Sequence, residues 1–341
     1  MIPKIPQMLF KQRWLSCLFS TALCLAISPA WAADTIRFQL DWLPGGDKAP
    51  VYVGIEQGFF AAEGLDVKVF SGRGSNDAIG KIASGNADIG LSDIVALLLA
   101  RAQADVPVTA IYSVFSQAPH AFFVLEDSPV TSVNDLAGKR VSTSAFTSSN
   151  IFFPLLLKKN HVDPTSVALI KTDPGALNPM LLTGNTDVVI SWITDFENYS
   201  RQANDAGKRL RIMPWYDAGL EFYSTSVIAS DRWLQDNPDL ARRFLRAFAK
   251  SIQFTWQHPD EAAEAVHKAV PEVAVVSAAA TIRSIKGLVY NQASAATGMG
   301  FYDSERLATT WRWTALAEGL EDKQFDPVTA LNQSFIASEK E

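Results

Sequence analysis

From Thr35 to Phe115 the period of apolar positions switches repeatedly between two and about four residues. TIRFQL alternates Ile36, Phe38 and Leu40 with polar neighbours, the spacing of a half-buried strand. Pro50 then suits the first turn of a helix, Val51, Ile55 and Phe59 follow four apart, and Gly64 ends it. DVKVF, ADIGL and PVTAIYSVF are further strands, with NDAIGKIAS and IVALLLARAQ as the helices between them. This alternation predicts βαβ units, and hence mainly parallel sheets with helices on both faces. Toward the end the helical period dominates. Asn237 caps a helix, Pro238 sits in its first turn, and Leu240, Phe244, Phe248 and Ile252 form its apolar stripe. DSERLATTWRWTALAEGL is a second late helix.

One pattern occurs twice. SGNADIGLSDI, Ser84 to Ile94, recurs as TGNTDVVISWI at Thr183 to Ile193, with glycine, asparagine, aspartate and serine in the same places. Each copy reads as the end of a helix, a tight Gly-Asn turn and a buried strand. The strand, loop and helix at Ile36 to Phe60 are matched in type by Lys139 to Lys159. Two α/β domains of like build are therefore expected, each doubly wound. Ser113–Asp127 and Gly219–Ser230 read as extended segments crossing between them. This division puts residues 33–118 and 224–341 in one lobe, with a helical tail, and 119–223 in the other. Two crossing segments between like domains make a hinge, and a hinge makes a cleft that can close.

With 341 residues, 48% of them hydrophobic and 19% charged, there is material for two cores. The first 32 residues are expected to be a secretory signal peptide. Lys4, Lys11 and Arg13 precede the apolar run Trp14–Ser28, and Ala30 and Ala32 favour a cut before Ala33. Both cysteines, Cys17 and Cys24, fall inside it, so the mature chain relies on its cores without disulfides, which suits a bacterial periplasm. Losing three basic residues moves the formal charge from −6 to −9. An acidic balance without basic runs argues against nucleic acid or an anionic membrane as partner.

In open α/β sheets, ligands bind beyond the carboxyl ends of the strands, where loops lead into helices. Four loops qualify. The first carries Trp42 as a stacking plate, with Asp47 and Lys48 at the helix entrance. The second, SGRGSND, offers Arg73, Ser75 and Asn76. The third, STSAFTSSN, brings Phe146 with the hydroxyls of Thr147 and Ser148 ahead of an apolar helix. The fourth is the pair of repeated strand ends, with Ser92 and Asp93 in one and Trp192 and Asp195 in the other. Trp192 opposes Trp42 as a second plate; Asp195 or Glu197 accepts from a ligand amine or pairs with Lys48, or Asp195 caps the next helix. None of His120, His161, His258 and His267 stands in a paired-ligand spacing, so neither metal nor cofactor is expected. No Gly-x-Ser-x-Gly elbow occurs. His120 lies in the first crossing segment, lining the cleft or packed beside the hinge.

The stretches DWLPGGDKAPVYVGIEQGFFAAEGLDVKV, SGNADIGLSDI and VNDLAGKRVSTS resemble the bacterial ABC-transporter solute-binding proteins that group thiamine-pyrimidine-precursor binders with nitrate and aliphatic sulfonate binders. The resemblance covers Thr35 to about Ala229. It implies a two-lobed, type II-like periplasmic binding fold, capture of a small molecule by closure, and delivery to a cognate permease in the inner membrane. A monomer is expected. Trp42 matches the Trp of the pyrimidine binders' first loop, but Gly45-Gly46 and Lys48 stand where they commonly have Asn and His. Some eukaryotic relatives consume that His to make the pyrimidine and carry a cysteine-rich segment absent from this mature chain. Lys48 and Arg73 favour an anionic sulfonate or carboxylate, and the two tryptophans favour a ring. A heteroaromatic ligand, an anionic one, and an enzyme using a cleft Asp or His are the readings left open.

Overall fold

A computed structural model describes residues 33–218 and 220–336, together with Met1. Apart from Met1, the expected leader at 1–32 lies outside the described residues. In chain order the strands are β1 (Asp34–Gln39), β2 (Leu65–Phe70), β3 (Ile89–Asp93), β4 (Val108–Ser113), β5 (His120–Leu125), β6 (Arg140–Ser144), β7 (Ala168–Thr172), β8 (Val188–Trp192), β9 (Leu210–Pro214) and β10 (Thr225–Ser230). They form two five-stranded sheets, ordered β2-β1-β3-β10-β4 and β7-β6-β8-β5-β9. The second order repeats the first, with β6, β7 and β8 in the places of β1, β2 and β3.

The sheets are mixed rather than mainly parallel. β10 runs antiparallel to both β3 and β4, and β5 antiparallel to both β8 and β9. The reason lies in the two crossing segments. Each arrives at the carboxyl edge of the sheet it joins, so its strand must run back down: Thr225 pairs with Asp93, and His120 with Trp192. Both crossings therefore enter beside the loops at which ligands bind.

The helices of the first half are α1 (Ala49–Glu56), α2 (Phe59–Ala62), α3 (Ser75–Ala83) and α4 (Ile94–Ala104); those beside the second sheet are α5 (Ser149–Lys159), α6 (Leu177–Leu182) and α7 (Phe196–Asp205). The tail supplies α8 (Asp231–Asp236), α9 (Pro238–Gln257), α10 (Pro259–Ala269), α11 (Val275–Ser284), α12 (Lys286–Val289), α13 (Gln292–Thr297) and α14 (Ser304–Glu318). The expected helix from Pro50 to Gly64 is two helices, because Gly58 adopts a left-handed φ of 70° between them. Ile55 consequently faces solvent, and the buried side of α1 is Ala49–Gly54 instead.

On α9, Phe244, Phe248 and Ile252 are buried as the stripe predicts, and Phe244 stacks between Phe38 of β1 and Phe60, with centroids 5.5 and 5.1 Å away. A second apolar cluster runs through both sheets, joining Val108, Ala110 and Ile228 to Phe122, Val141 and Ile190. Leu307, Trp311 and Ala315 of α14 belong to it. The sheets thus share a core.

The repeated turn has the same anchor in each half. Asp88 accepts the backbone N–H of Arg37 at 2.8 Å and its guanidinium at 2.5 and 3.1 Å. Asp187 accepts the corresponding groups of Arg140 at 2.8, 2.7 and 3.2 Å. Each clasp pins the start of the strand that ends in the cleft. Asp88→Ala should lower unfolding stability by about 1–2 kcal/mol, since it removes charge-assisted bonds together with a backbone acceptor. Urea denaturation checks this; a loss under 0.5 kcal/mol would mean the clasp is decorative.

Candidate ligand-binding site

Loops from both sheets meet at the carboxyl edges. Gln39 organises the first of them: its side-chain amide donates to the carbonyls of Leu40, Phe70 and Ser71 at 2.8, 3.3 and 2.9 Å, tying the loop after β1 to the loop after β2. Gly72 allows their close approach, because a Cβ there would lie 2.1 Å from the Leu40 carbonyl. At Gly74, φ is 148° and a Cβ would fall 2.3 Å from the Phe146 carbonyl on the opposite side of the cleft. Backbone meets backbone at this point, and Asn76 N–H donates to the Phe146 carbonyl at 3.1 Å.

Asp41, Trp42, Gly74 and Ser75 from the first half enclose a cavity with Thr147, Ser191 and Trp192 from the second. Of the expected residues, Trp42, Ser75, Thr147 and Trp192 are thus brought together on its wall. The space is narrow, about 10 Å³, room for one water molecule. A larger hollow of about 280 Å³ adjoins on the Asp47 and Asp195 side, lined also by Leu43, Tyr199 and Thr281. The groove of about 570 Å³ beside Glu221, Arg306 and Trp313 is wider, but it opens to solvent away from the strand ends.

Lys48 is the main surprise. It is fully buried, and its Nζ lies 2.6 Å from Asp41 Oδ1 and 2.9 Å from Asp47 Oδ2, not beside Asp195. Burial alone would lower its ammonium, but the opposite charges of Asp41 and Asp47 outweigh that and hold it above its ordinary value. The same Nζ stands 5.6 Å from the Trp192 ring centroid, within cation–π range. The triad is not saturated. Asp41 Oδ1 and Lys48 Nζ are close but out of line for a directional hydrogen bond, and the buried Trp192 indole N–H has no acceptor among the described residues. Buried polar groups of this kind ask for a partner.

Asp195 does not cap α7 through its side chain; instead it accepts the Ser191 hydroxyl. Burial pushes its carboxyl up to about 7, against hydrogen bonds from Ser191 and Trp42 that lower it.

The remaining expected residues lie off the cavity wall. Arg73 is half exposed, 3.5 Å from Asp77 and stacked over the Phe146 ring at 5.0 Å, so the two form a rim contact across the cleft. The Asn76 side chain is exposed. Ser92 is buried behind the wall, its hydroxyl donating to the Asp93 carbonyl at 3.2 Å. Asp93 caps α4 through Val95 N–H and accepts the Ser148 hydroxyl at 2.6 Å, which joins the two halves behind the cavity. Sequence reasoning missed Asp41, Gly74 and Ser191. The repeat offered a signal for Ser191, which occupies the position of Ser92 in the second copy.

A pH dependence follows from Asp195. Its carboxyl is raised in the folded chain, so folding penalises the ionised form; the penalty is absent below the unfolded value of about 4 and complete above about 7. Wild-type stability should therefore fall as pH rises from 4 to 7, and Asp195→Asn, which keeps shape and an acceptor for Ser191, should flatten that fall. Thermal melts at pH 4 and pH 8 decide it; identical profiles for the two proteins would refute it.

Known proteins resemble this arrangement in sequence and in shape. The formylaminopyrimidine-binding protein of Halalkalibacterium halodurans is 29% identical over 237 residues, 68% of this chain and 69% of that protein. A 4-amino-5-hydroxymethyl-2-methylpyrimidine phosphate synthase of Candida albicans is 28% identical over 242 residues, 68% and 70% of the two chains. Among solved structures, the alkanesulfonate-binding protein SsuA of Xanthomonas axonopodis pv. citri, bound to MOPS, superposes with a TM-score of 0.70 at 11% identity, covering 90% of this chain and all of that one. The fold is accordingly that of periplasmic binding proteins. The model described as NMT1/THI5 like matches residues 46–262, more than half of the chain, and the protein belongs to that family.

Proposed function

We propose that the protein is the periplasmic solute-binding component of an ABC importer and that its ligand is a nitrogen heterocycle presenting hydrogen-bond donors, a thiamine-precursor-like pyrimidine being the model case. The observation that carries this is the Asp41–Lys48–Asp47 triad beside Trp42 and Trp192. Two tryptophans suit the faces of a ring, and the carboxylates suit its amino groups. An anion fits poorly. Lys48 is already matched by two carboxylates, Arg73 lies on the rim, and the Asn76 N–H at the start of α3 is occupied by the Phe146 carbonyl. A sulfonate about 4 Å from an Asp carboxylate would meet a repulsion of about 4 kcal/mol at an effective dielectric of 20.

Capture works by closure of the lobe 33–118 plus 224–341 on the lobe 119–223. A ring needs more space than the narrow cavity holds, so the walls part for entry around the shared core and close on the guest, and the ligand shifts the balance by its preference for the closed form. The leader delivers the chain to the periplasm, and a permease in the inner membrane receives the cargo from the monomeric receptor. Relatives named as synthases make an enzyme the rival reading. Lys48, clamped where pyrimidine-handling relatives commonly have His, supports a receptor that acts without turnover.

The test is a thermal-shift series on the mature protein. At one hundred times its dissociation constant an aminopyrimidine should add about 2.7 kcal/mol of stability, while an aliphatic sulfonate at equal concentration adds none. Stabilisation by the sulfonate alone would favour the anionic reading. Trp42→Ala should weaken heterocycle binding by about 1–3 kcal/mol through lost stacking; unchanged affinity would remove Trp42 from the site.

A further inference from the structure

Behind the cavity lies a buried polar chain that reaches its wall at Thr147. His120 opens β5, is fully buried, and is surrounded by Phe152, Trp192, Trp215 and Phe222 with ring centroids 5.5 to 5.9 Å away. Its nitrogens have two polar neighbours, of which only Ser149 is aligned for a hydrogen bond; the approach of Nε2 to Asp93 is electrostatic. Nε2 faces Asp93 Oδ2 at 3.4 Å, and Nδ1 lies 2.9 Å from Ser149 Oγ. Asp93 comes from the first sheet and already serves as an acceptor, for Val95 N–H at 3.2 Å and for the Ser148 hydroxyl at 2.6 Å. A lone pair on Nε2 pointing at such a carboxylate would be repelled, so the proton belongs on Nε2. Nδ1 is then an acceptor and takes the Ser149 O–H. The Ser149 oxygen in turn accepts the Thr147 hydroxyl at 3.3 Å. Thr147 stands on the cavity wall.

We infer that His120 is a positioning residue that sets the hydrogen-bond polarity of the pocket. Through Asp93, His120 and Ser149 the Thr147 proton is drawn away from the cavity, so Thr147 faces the ligand as an acceptor only. The pocket then selects rings that bring an N–H to that wall over rings that bring a carbonyl or a bare ring nitrogen. The inference rests on the heterocycle reading and adds a specificity element to it, one held by residues from both sheets and therefore assembled only when the halves are together. Asp41 and Asp47 attract donors by charge; the relay fixes direction at a different wall.

Two measurements test it. In the full protein labelled with 15N-histidine, the resonances that vanish in His120→Gln should show the Nε2–H tautomer; a proton on Nδ1 overturns the relay whether or not any ring binds. In binding assays, 4-aminopyrimidine should be preferred over pyrimidin-4-one, and Ser149→Ala, which frees the Thr147 hydroxyl to turn, should narrow that preference at least threefold while melting stays cooperative. A smaller change in a folded variant overturns the proposal. If neither ring binds the wild-type protein, the ligand assignment fails, and the tautomer still decides the relay.

Discussion

The candidate site is built around one buried ammonium. A lysine taken out of water is costly unless its charge is met, and Lys48 is met twice, by Asp41 and Asp47. The three residues come from one short loop between β1 and α1, so the clamp is local in sequence and forms with the loop itself. Its consequences reach outward. The ammonium lies 5.6 Å from the Trp192 ring centroid of the other half, and burial raises the Asp41 and Asp195 carboxyls. Lys48, read from the sequence as favouring an anionic guest, is paired with two carboxylates of its own loop.

Around that clamp the chain is built twice. The two sheets share one strand order, the two Gly-Asn turns share one Arg–Asp clasp, and the two crossings each insert an antiparallel strand that starts at a carboxyl edge. The repetition places Ser92-Asp93 and Ser191-Trp192 at equivalent strand ends. The copies have diverged in use: in the first, Asp93 joins the halves through Ser148, and in the second, Trp192 walls the cavity. A continuous apolar cluster through both sheets keeps the halves in contact.

Much of this was legible in the chain. Alternation of period gave the strands and helices, the repeat gave the paired halves, and the rule that ligands sit at strand ends led to Trp42, Ser75, Thr147 and Trp192. What failed to show did so for physical reasons. Strand direction depends on where a crossing segment enters, which periodicity does not record, so the mixed sheets were read as mainly parallel. The surface position of Ile55 follows from one left-handed glycine, Gly58, that splits the expected helix. The role of Asp41 was hidden because a single polar residue after a strand reads as an ordinary loop residue until the fold brings Lys48 back against it. Arg73, Asn76 and Phe146 lie on loops beside the cavity, but side-chain direction within a loop is set by tertiary contact, here the meeting of Gly74 with the Phe146 backbone.

The central claim, that Lys48 is a structural counter-charge and not a receptor for an anion, is tested most directly by urea denaturation of Lys48→Met without any ligand. Leaving two buried carboxylates uncompensated should lower stability by about 3–5 kcal/mol at neutral pH. A variant within 1 kcal/mol of wild type would contradict the account and return Lys48 to the pool of groups available to bind a negatively charged solute.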